Sequence, residues 1–534
     1  MSGRSAPFSL SGRLADTLAV SGILTFWWFF VGPIVLVDGL QGTDVYRDAA
    51  TAINMQQGHF FADPSYAGEE LWYPPLSPLI AAGLSTVLQV EPLDCYRWSQ
   101  LLLNWLIPAG LYFLIVPAWG RRAALCAVVA VLFAMPWWQS EVAHGQPSIH
   151  AVILAWASLA MYARQEMGRS MAWAIAYGAW QGISFWHHPF APTVLVVATC
   201  VQAAWSMRHS QSSLPQRRAV WRRHLASLGV TLMLAAPILF LMLRGPVLNA
   251  TPREYIAEEL ATVEFAALHG SPLLWGLGAI GLYAACRRAA FADRLLICCL
   301  VVTAVAQLPG YVRLYGGPWT QLVPVLVPHE FQRLFQLGWA ALIGVGASLC
   351  MDAALPRVRL RPWTGVARAG MAAAICAAVA GHWLMETPQR LRAYLRPLEL
   401  SGDLLAAGDW VREHTDINDS FVCDHDLAFE WLGVSTGRKA WLVPPGHSNP
   451  RIDWVARKLM LDAMAEETSP QRLWSTLVAN GIQYVVSADP WTPAVFQSAD
   501  TGWRHYFDLV HPPSQPAPNA LAIYAVRATW SRDH

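Results

Sequence analysis

Apolar runs recur along the chain, each close to the length a helix needs to cross a bilayer, and the short polar stretches between them carry many of its arginines. The first run covers residues 14–37. Others lie near 99–118, 123–138, 147–162, 171–186, 190–207, 226–243, 271–285, 295–309, 334–351 and 365–385. The pattern predicts about eleven spans of roughly 20 residues each. The run at 74–90 is shorter and opens on prolines. It reads as a juxtamembrane or re-entrant helix that returns to the face it left.

Charge between the runs sets an expected orientation. Arg4 and Arg13 precede the first run, and no small-residue cleavage pattern follows it, so it reads as an uncleaved span with a cytoplasmic N-terminus. Arg121 with Arg122, Arg164 with Arg169, the dense run 208–223, Arg287 with Arg288 and Arg294, and Arg357 with Arg359 and Arg361 then all fall on the cytoplasmic side. The polar groups on the other side include Glu141, His144, Gln146, His187, His188, Arg313, Glu330 and Arg333, together with a long first loop at 38–97.

Beyond about residue 390 the pattern changes to that of a soluble α/β unit of ordinary domain size. Residues 404–413 have helical spacing. Ser469-Pro470 reads as an N-cap followed by a helix to Asn480, and Gly481 as its stop. Residues 421–423, 483–487 and 521–526 read as strands. The expected architecture is therefore a polytopic α-helical membrane protein. Residues 1–390 form the transmembrane module with a large first external loop, and 391–534 form an external, periplasmic α/β domain.

Composition agrees. Of 534 residues 55% are hydrophobic and only 14% charged, against roughly 25% charged in an average soluble domain. Mean hydropathy is +0.32. A net charge of +1 with no extended basic block argues against a nucleic-acid partner. The nine cysteines lie mostly inside apolar runs without metal-ligand spacing and read as small buried hydrophobes; Cys423, alone in the soluble unit, excludes a disulfide within it. No phosphate-loop, dinucleotide, His-Glu-x-x-His or Gly-x-Ser-x-Gly pattern occurs in a fitting context. Neither an internal repeat nor a matched pair of broken helices supports a transporter. Chemistry is left to the outer loops.

The first loop is the richest of these. It holds Asp38, then Gly42-Thr43-Asp44-Val45-Tyr46-Arg47-Asp48 opening an amphipathic run to Gly58, then Trp72-Tyr73-Pro74-Pro75-Leu76. This stretch resembles the first external loop of the C-type glycosyltransferases, the GT-C superfamily of multi-span membrane enzymes that use polyprenyl-phosphate sugars. The plan of many spans followed by an external α/β domain is similar to that of bacterial members.

The resemblance implies an inverting hexosyl- or pentosyltransferase in the inner (plasma) membrane. Its donor would be a polyprenyl-phosphate sugar entering from the membrane lipids, and its acceptor a lipid, glycan or protein on the outer side. It also implies a catalytic carboxylate in the loop. Asp44 matches the pattern best, Asp38 is second because it stands nearest the membrane exit, and Asp48 is the third candidate.

Physical chemistry asks for the same group. An acceptor hydroxyl needs a base as the phosphate leaves, and a carboxylate partly desolvated at the interface has its pKa raised towards that task. The leaving phosphate needs cations and hydrogen-bond donors. Arg333, with Glu330 nearby, is the first choice for donor recognition, followed by His188 and Arg313; Tyr46 and Tyr73 are candidates for contact with the sugar.

Blander readings stand beside each of these. The acids can be solvated helix ends, His187 and His188 can satisfy carbonyls at a helix start, and Arg333 can be an interfacial anchor that snorkels to headgroups. No organic cofactor is implied. Asp38, Asp44 and Glu330 could share a divalent cation, and metal is left unassigned. Two other functions are open: a glycan polymerase or ligase using lipid-diphosphate donors, and a non-catalytic scaffold of an envelope-assembly complex.

Overall fold

A computed structural model describes residues 17–25, 27–29, 43–134, 147–209, 213–244, 272–315, 328–354, 401–497, 501–511 and 521–528. The chain divides into two compact units. One comprises Met1–Val37, Ser99–Ala236 and Arg253–Arg396. The other comprises Asp38–Trp98, Pro237–Pro252 and Pro397–His534.

The second unit joins the first loop to the C-terminal residues. The loop forms helix α1 (Thr43–Gln56) and helix α2 (Leu76–Leu88). At 13 residues α2 is about 20 Å long, too short for a hydrocarbon core of about 30 Å. Its sides are inverted relative to a soluble helix. Ser77, Pro78, Ala81, Ala82 and Ser85 are buried, while Leu79, Ile80, Leu84, Val87 and Leu88 are exposed. Gln56 at the end of α1 donates to Ser85 Oγ at 2.7 Å, tying the two helices together.

The C-terminal part of this unit is a five-stranded sheet. Its strands are β1 (Ser420–Val422), β2 (Lys439–Ala440), β3 (Tyr484–Ser487), β4 (Phe507–His511) and β5 (Ala522–Val526), in the order β2-β1-β3-β5-β4. β2, β1 and β3 run parallel; β5 joins β3 and β4 antiparallel. The expected strands appear as β1, β3 and β5. β2 is two residues long and β4 exposes Asp508 and Leu509 in succession, so neither has a readable apolar pattern.

The first loop caps the sheet edge. Ala440 N of β2 donates to Ser65 O, so the outermost strand hydrogen-bonds to the loop rather than presenting a bare edge. The Asp63 carboxylate is fully buried and accepts from Ser65 N, Tyr66 N and Asn449 Nδ2 at 2.8, 3.0 and 2.9 Å. Tyr66 Oη shares a 2.7 Å hydrogen bond with Ser448 Oγ.

The remaining helices of the second unit follow local chemistry. Helix α11 (Gly402–His414) is N-capped by Ser401, and α13 (Pro470–Ala479) by Ser469 with Pro470 in its first turn. After α13 the chain turns through Gly481 at φ +66°, a conformation that favours glycine. Helix α12 (Trp454–Glu466) fills the connection between β2 and β3.

The first unit is helical. Its helices are α3 (Pro92–Ala134, entering from the second unit), α4 (Pro147–Gly168), α5 (Met171–His187), α6 (Phe190–His209), α7 (Leu214–Leu243, passing into the second unit at Pro237), α8 (Pro272–Arg288), α9 (Phe291–Tyr315) and α10 (Pro328–Ala354). A further helical stretch lies within residues 17–29. Among the described residues five stretches are long and apolar enough to cross a membrane: Trp105–Phe133, Phe190–Arg208, Leu214–Leu243, Phe291–Val312 and Phe331–Ala353. The first is not one straight rod. Gly120, at φ 84° and ψ 170°, breaks α3 into two helices, where the sequence expects the gap between two spans. The expected span at 365–385 lies outside the described residues.

A compact polar knot closes this corner. Asp293 accepts from Arg288 Nε at 2.6 Å and from Trp119 Nε1 at 2.9 Å, and Arg288 Nη1 donates to Ala118 O at 2.7 Å. Elsewhere small residues let helices approach closely. A Cβ at Gly281 of α8 would collide with the carbonyl of Leu342 in α10, and one at Gly346 of α10 with the carbonyl of Leu277. The cysteine expectation holds in part: Cys95, Cys298 and Cys423 are buried, but Cys286 and Cys350 are exposed, each on a helix face that apolar neighbours do not cover.

Candidate active site

Helix α1 is almost entirely enclosed. Val45, Tyr46, Arg47, Asp48, Ala49 and Ala50 are all buried in succession. No amphipathic helix with one solvated side looks like this, and two of the enclosed residues carry charge. Arg47 Nε donates to Asp48 Oδ1 at 3.0 Å, with the two side chains 5% and 1% exposed. The guanidinium carbon also lies 3.5 Å from the centre of the Tyr73 ring and 5.9 Å from that of Trp72. Burying both charges costs desolvation that their attraction often only balances, so such a pair is weak evidence for stability. It is better evidence for a site.

Tyr96 stands close by. Its hydroxyl shares a 3.3 Å hydrogen bond with Ser77 Oγ, and burial, reinforced by the charge of Asp48, pushes its pKa well up. Tyr73, Arg47, Asp48 and Tyr96 thus form one cluster of polar groups around α1. Asp44 lies in the first turn of α1, one helical turn before Asp48.

The C-terminal residues grip the opposite side of α1. Tyr46 packs edge-on against Phe429 with ring centres 6.0 Å apart, and Phe429 stacks on His447 at 4.6 Å. Phe429 belongs to a π-helical turn, Ala428–Leu432, an irregularity found often at functional sites. Burial, and after it the charge of Glu430, raises the Tyr46 pKa. A Cβ on Gly433 would sit 3.5 Å from Ala50, and Gly437, at φ +69°, lies against Ile53.

Just beyond the carboxyl end of β1, Asp424, His425 and Asp426 hold one ligand atom each within 4.8 Å of one another. These could hold a divalent cation, although Asp424 Oδ1 already accepts from Asp426 N and Leu427 N at 2.9 and 3.2 Å. Burial, then the charges of Asp426 and Asp424, raises the pKa of Glu430 beside them.

The first unit has its own polar cluster, where α5 gives way to α6. His187 and His188 are both buried, and the His150 and His187 rings meet edge-on at 5.6 Å. His150 Nε2 lies 3.0 Å from Ser99 Oγ, which links α4 to α3. His188 N donates to Ser184 O at 2.9 Å, so it closes α5 while its ring meets that of Phe190. Phe190 in turn packs edge-on against Phe331 at 4.8 Å, on the opening turn of α10. Arg333 follows two residues later and is 2% exposed. A headgroup anchor that snorkels needs an exposed side chain. Arg333 does not have one.

The sequence candidates therefore divide between the units. Asp44, Tyr46 and Tyr73 belong to the second; His188, Arg313, Glu330 and Arg333 belong to the first. Asp38 lies outside the described residues, and Asp44, Arg313 and Glu330 are placed only by their helices. Sequence reasoning held Asp48 as the third candidate carboxylate but missed its buried pairing with Arg47, and it passed over Tyr96, His150 and Ser99. Of these only the neighbouring charges of Arg47 and Asp48 gave a signal; their burial did not.

No protein-family model matches the chain, and no curated protein matches it. Solved structures do. The chain shares its fold with the oligosaccharyltransferase of Archaeoglobus fulgidus in its apo form, at TM-score 0.60 and 12% identity over 89% of this chain and 69% of that one. Apo ArnT from Cupriavidus metallidurans matches at TM-score 0.55 and 15% identity over 98% of this chain and 100% of that one. The mycobacterial arabinofuranosyltransferase AftD matches at TM-score 0.56 and 15% identity, over 98% of this chain and 40% of the longer one. The fold is thus that of the C-type membrane glycosyltransferases, as the resemblance of the first loop led one to expect.

Proposed function

We propose that the chain is a membrane glycosyltransferase that moves a sugar from a polyprenyl-phosphate donor to an acceptor on the outer face of the membrane. The observation that carries this reading is the end-to-end likeness to ArnT, which covers 98% of one chain and 100% of the other. ArnT is also known bound to undecaprenyl phosphate, and the archaeal enzyme AglB in complex with an inhibitory peptide and a dolichol-phosphate. A polyprenyl phosphate is the ligand chemistry these neighbours share.

In this reading Asp44 is the general base that takes the proton of the acceptor hydroxyl, with Asp38 as the alternative. Helix α1 holds the base in place, since Tyr46 on one side and the Arg47–Asp48 pair on the other leave the helix little freedom to rotate. Arg333 and His188, buried polar groups near the ends of membrane helices, receive the lipid phosphate, with Glu330 three residues before Arg333 and Arg313 near the end of α9 as further candidates. Tyr73, already stacked with Arg47, is available to the sugar. The exposed apolar side of the short helix α2 suits insertion into the outer leaflet.

The test is transfer by the purified full-length chain in lipid nanodiscs. Labelled sugar should move from a polyprenyl-monophosphate donor. Transfer from a lipid-diphosphate donor alone would favour the polymerase or ligase, and binding of neither lipid would favour the scaffold.

A further inference from the structure

Helix α7 is longer than a bilayer requires. Its 30 residues span about 45 Å, some 15 Å more than a hydrocarbon core of about 30 Å. Its most apolar stretch is 22% buried, the least of the five membrane-length helices, so lipid covers most of it. The excess length is at the start, and that start is strongly basic. No Asp or Glu occurs between Glu166 and Glu254, a stretch in which arginines recur.

These basic groups are sorted by direction. Arg223 and His224 turn inward, both 6% exposed, and lie 3.8 and 3.4 Å from Glu166 Oε1. Arg217, Arg218 and Arg222 are exposed. Leu214, Trp221 and Leu225 are also exposed, at 62, 45 and 61%. Leu214, Arg218, Trp221, Arg222 and Leu225 follow the i, i+4, i+7, i+8, i+11 spacing that puts residues on one helix face. The lipid-facing stripe of α7 therefore continues, past the hydrocarbon, as alternating apolar and guanidinium groups around a tryptophan.

That arrangement suits a phospholipid headgroup layer. Indole rings settle at the membrane interface, guanidinium groups pair with phosphate oxygens two bonds at a time, and leucines reach back to the acyl chains. We infer that the first three turns of α7 form a binding surface for anionic phospholipids. Glu166, the acid that bounds this stretch on its N-terminal side, is held by Arg223 and His224 on the inward face. The surface commits to a lipid rather than a free phosphate because the arginines alternate with exposed apolar side chains that a soluble anion would not cover.

The test is native mass spectrometry of the full-length protein released from nanodiscs of mixed phosphatidylglycerol and phosphatidylcholine. Wild-type protein should retain phosphatidylglycerol in preference. R217Q/R218Q/R222Q should lower that retention by up to roughly 100-fold at low salt, while R217K/R218K/R222K, which keeps the charge, should retain most of it. Should the triple glutamine variant fail to fold, R218Q or R222Q alone should each lower retention by roughly fivefold. Equal retention in wild type and the glutamine variants overturns the inference. So does a wild-type preference abolished by millimolar inorganic phosphate, which would show a site for the free anion.

Discussion

The Lys439 ammonium group donates at 2.8 Å to the main-chain carbonyl of Asp63, a residue 376 positions earlier in the chain. It also donates to Pro64 O at 3.4 Å. Lys439 is 2% exposed and sits on the outermost parallel strand, so the first loop and the sheet share a buried cation. The helix that carries the expected base is thereby built into the same folding unit as the C-terminal sheet.

Removing this junction should loosen the loop. Lys439→Met takes away charge-assisted donors from buried carbonyls and the cation nearest the Asp63 carboxylate, and should cost about 3–5 kcal/mol. Asn449→Ala removes one donor to Asp63 and should cost about 1–3 kcal/mol. Hydrogen exchange at residues 59–71 and 439–443 should speed up together in both variants. Faster exchange confined to the sheet would show that the loop is held by other contacts.

The same lysine gives a pH dependence. Burial lowers the Lys439 pKa to about 8, against the raising effect of Asp63. Between that value and about 10.4 the unfolded chain binds a proton that the folded one has released. Stability of this unit should therefore rise with pH across that window, by up to about 3 kcal/mol, and the favourable contribution is lost as pH falls through 8. Tyr46, Tyr66 and Tyr96 have raised pKa values and act in the opposite sense at higher pH, where the unfolded chain loses its phenolic protons first. Exchange protection, corrected for the intrinsic pH dependence of exchange, should peak near pH 9–10. Lys439→Met should flatten the rising limb.

Much of this architecture was legible in the sequence. The apolar runs at 190–207, 226–243, 295–309 and 334–351 became membrane-length helices because twenty apolar residues have few other solutions. Ser469 and Gly481 did what local capping and turn chemistry require. What the sequence could not show was partnership at a distance. Nothing around Lys439 announces a bond to Asp63, and the Arg47–Asp48 neighbours look like any surface pair until Trp72 and Tyr73 fold back onto them. His150, alone in an apolar run, met His187 only because α4 and α5 pack together.

The buried pair on α1 should behave as a coupled unit. Arg47→Gln removes the guanidinium beside an enclosed carboxylate and should destabilise by about 3–5 kcal/mol. Arg47→Gln with Asp48→Asn should recover much of that loss, since neither charge is then left buried. Arg47→Lys keeps the charge but not the planar group over Tyr73, and should fall between the two. A double variant no more stable than Arg47→Gln would show that the two residues act independently.

Donor recognition should respond to Arg333. Arg333→Ala should weaken polyprenyl-phosphate binding by about 1.5–3 kcal/mol, the worth of one hydrogen bond to a charged group. Arg333→Lys should lose less. Thermal shift of the nanodisc-embedded protein on adding polyprenyl phosphate measures both; an unchanged shift in the alanine variant would remove Arg333 from the donor site.

The most direct measurement is the transfer rate of Asp44→Asn in lipid nanodiscs, taken alongside donor binding. Asparagine keeps the size and much of the hydrogen bonding of the aspartate but cannot take the acceptor's proton. Transfer should fall by roughly 10²–10⁴-fold while polyprenyl-phosphate binding is retained. Full activity in Asp44→Asn with activity lost in Asp38→Asn would assign the base to Asp38. Full activity in both would contradict a catalytic carboxylate at either position in the first loop.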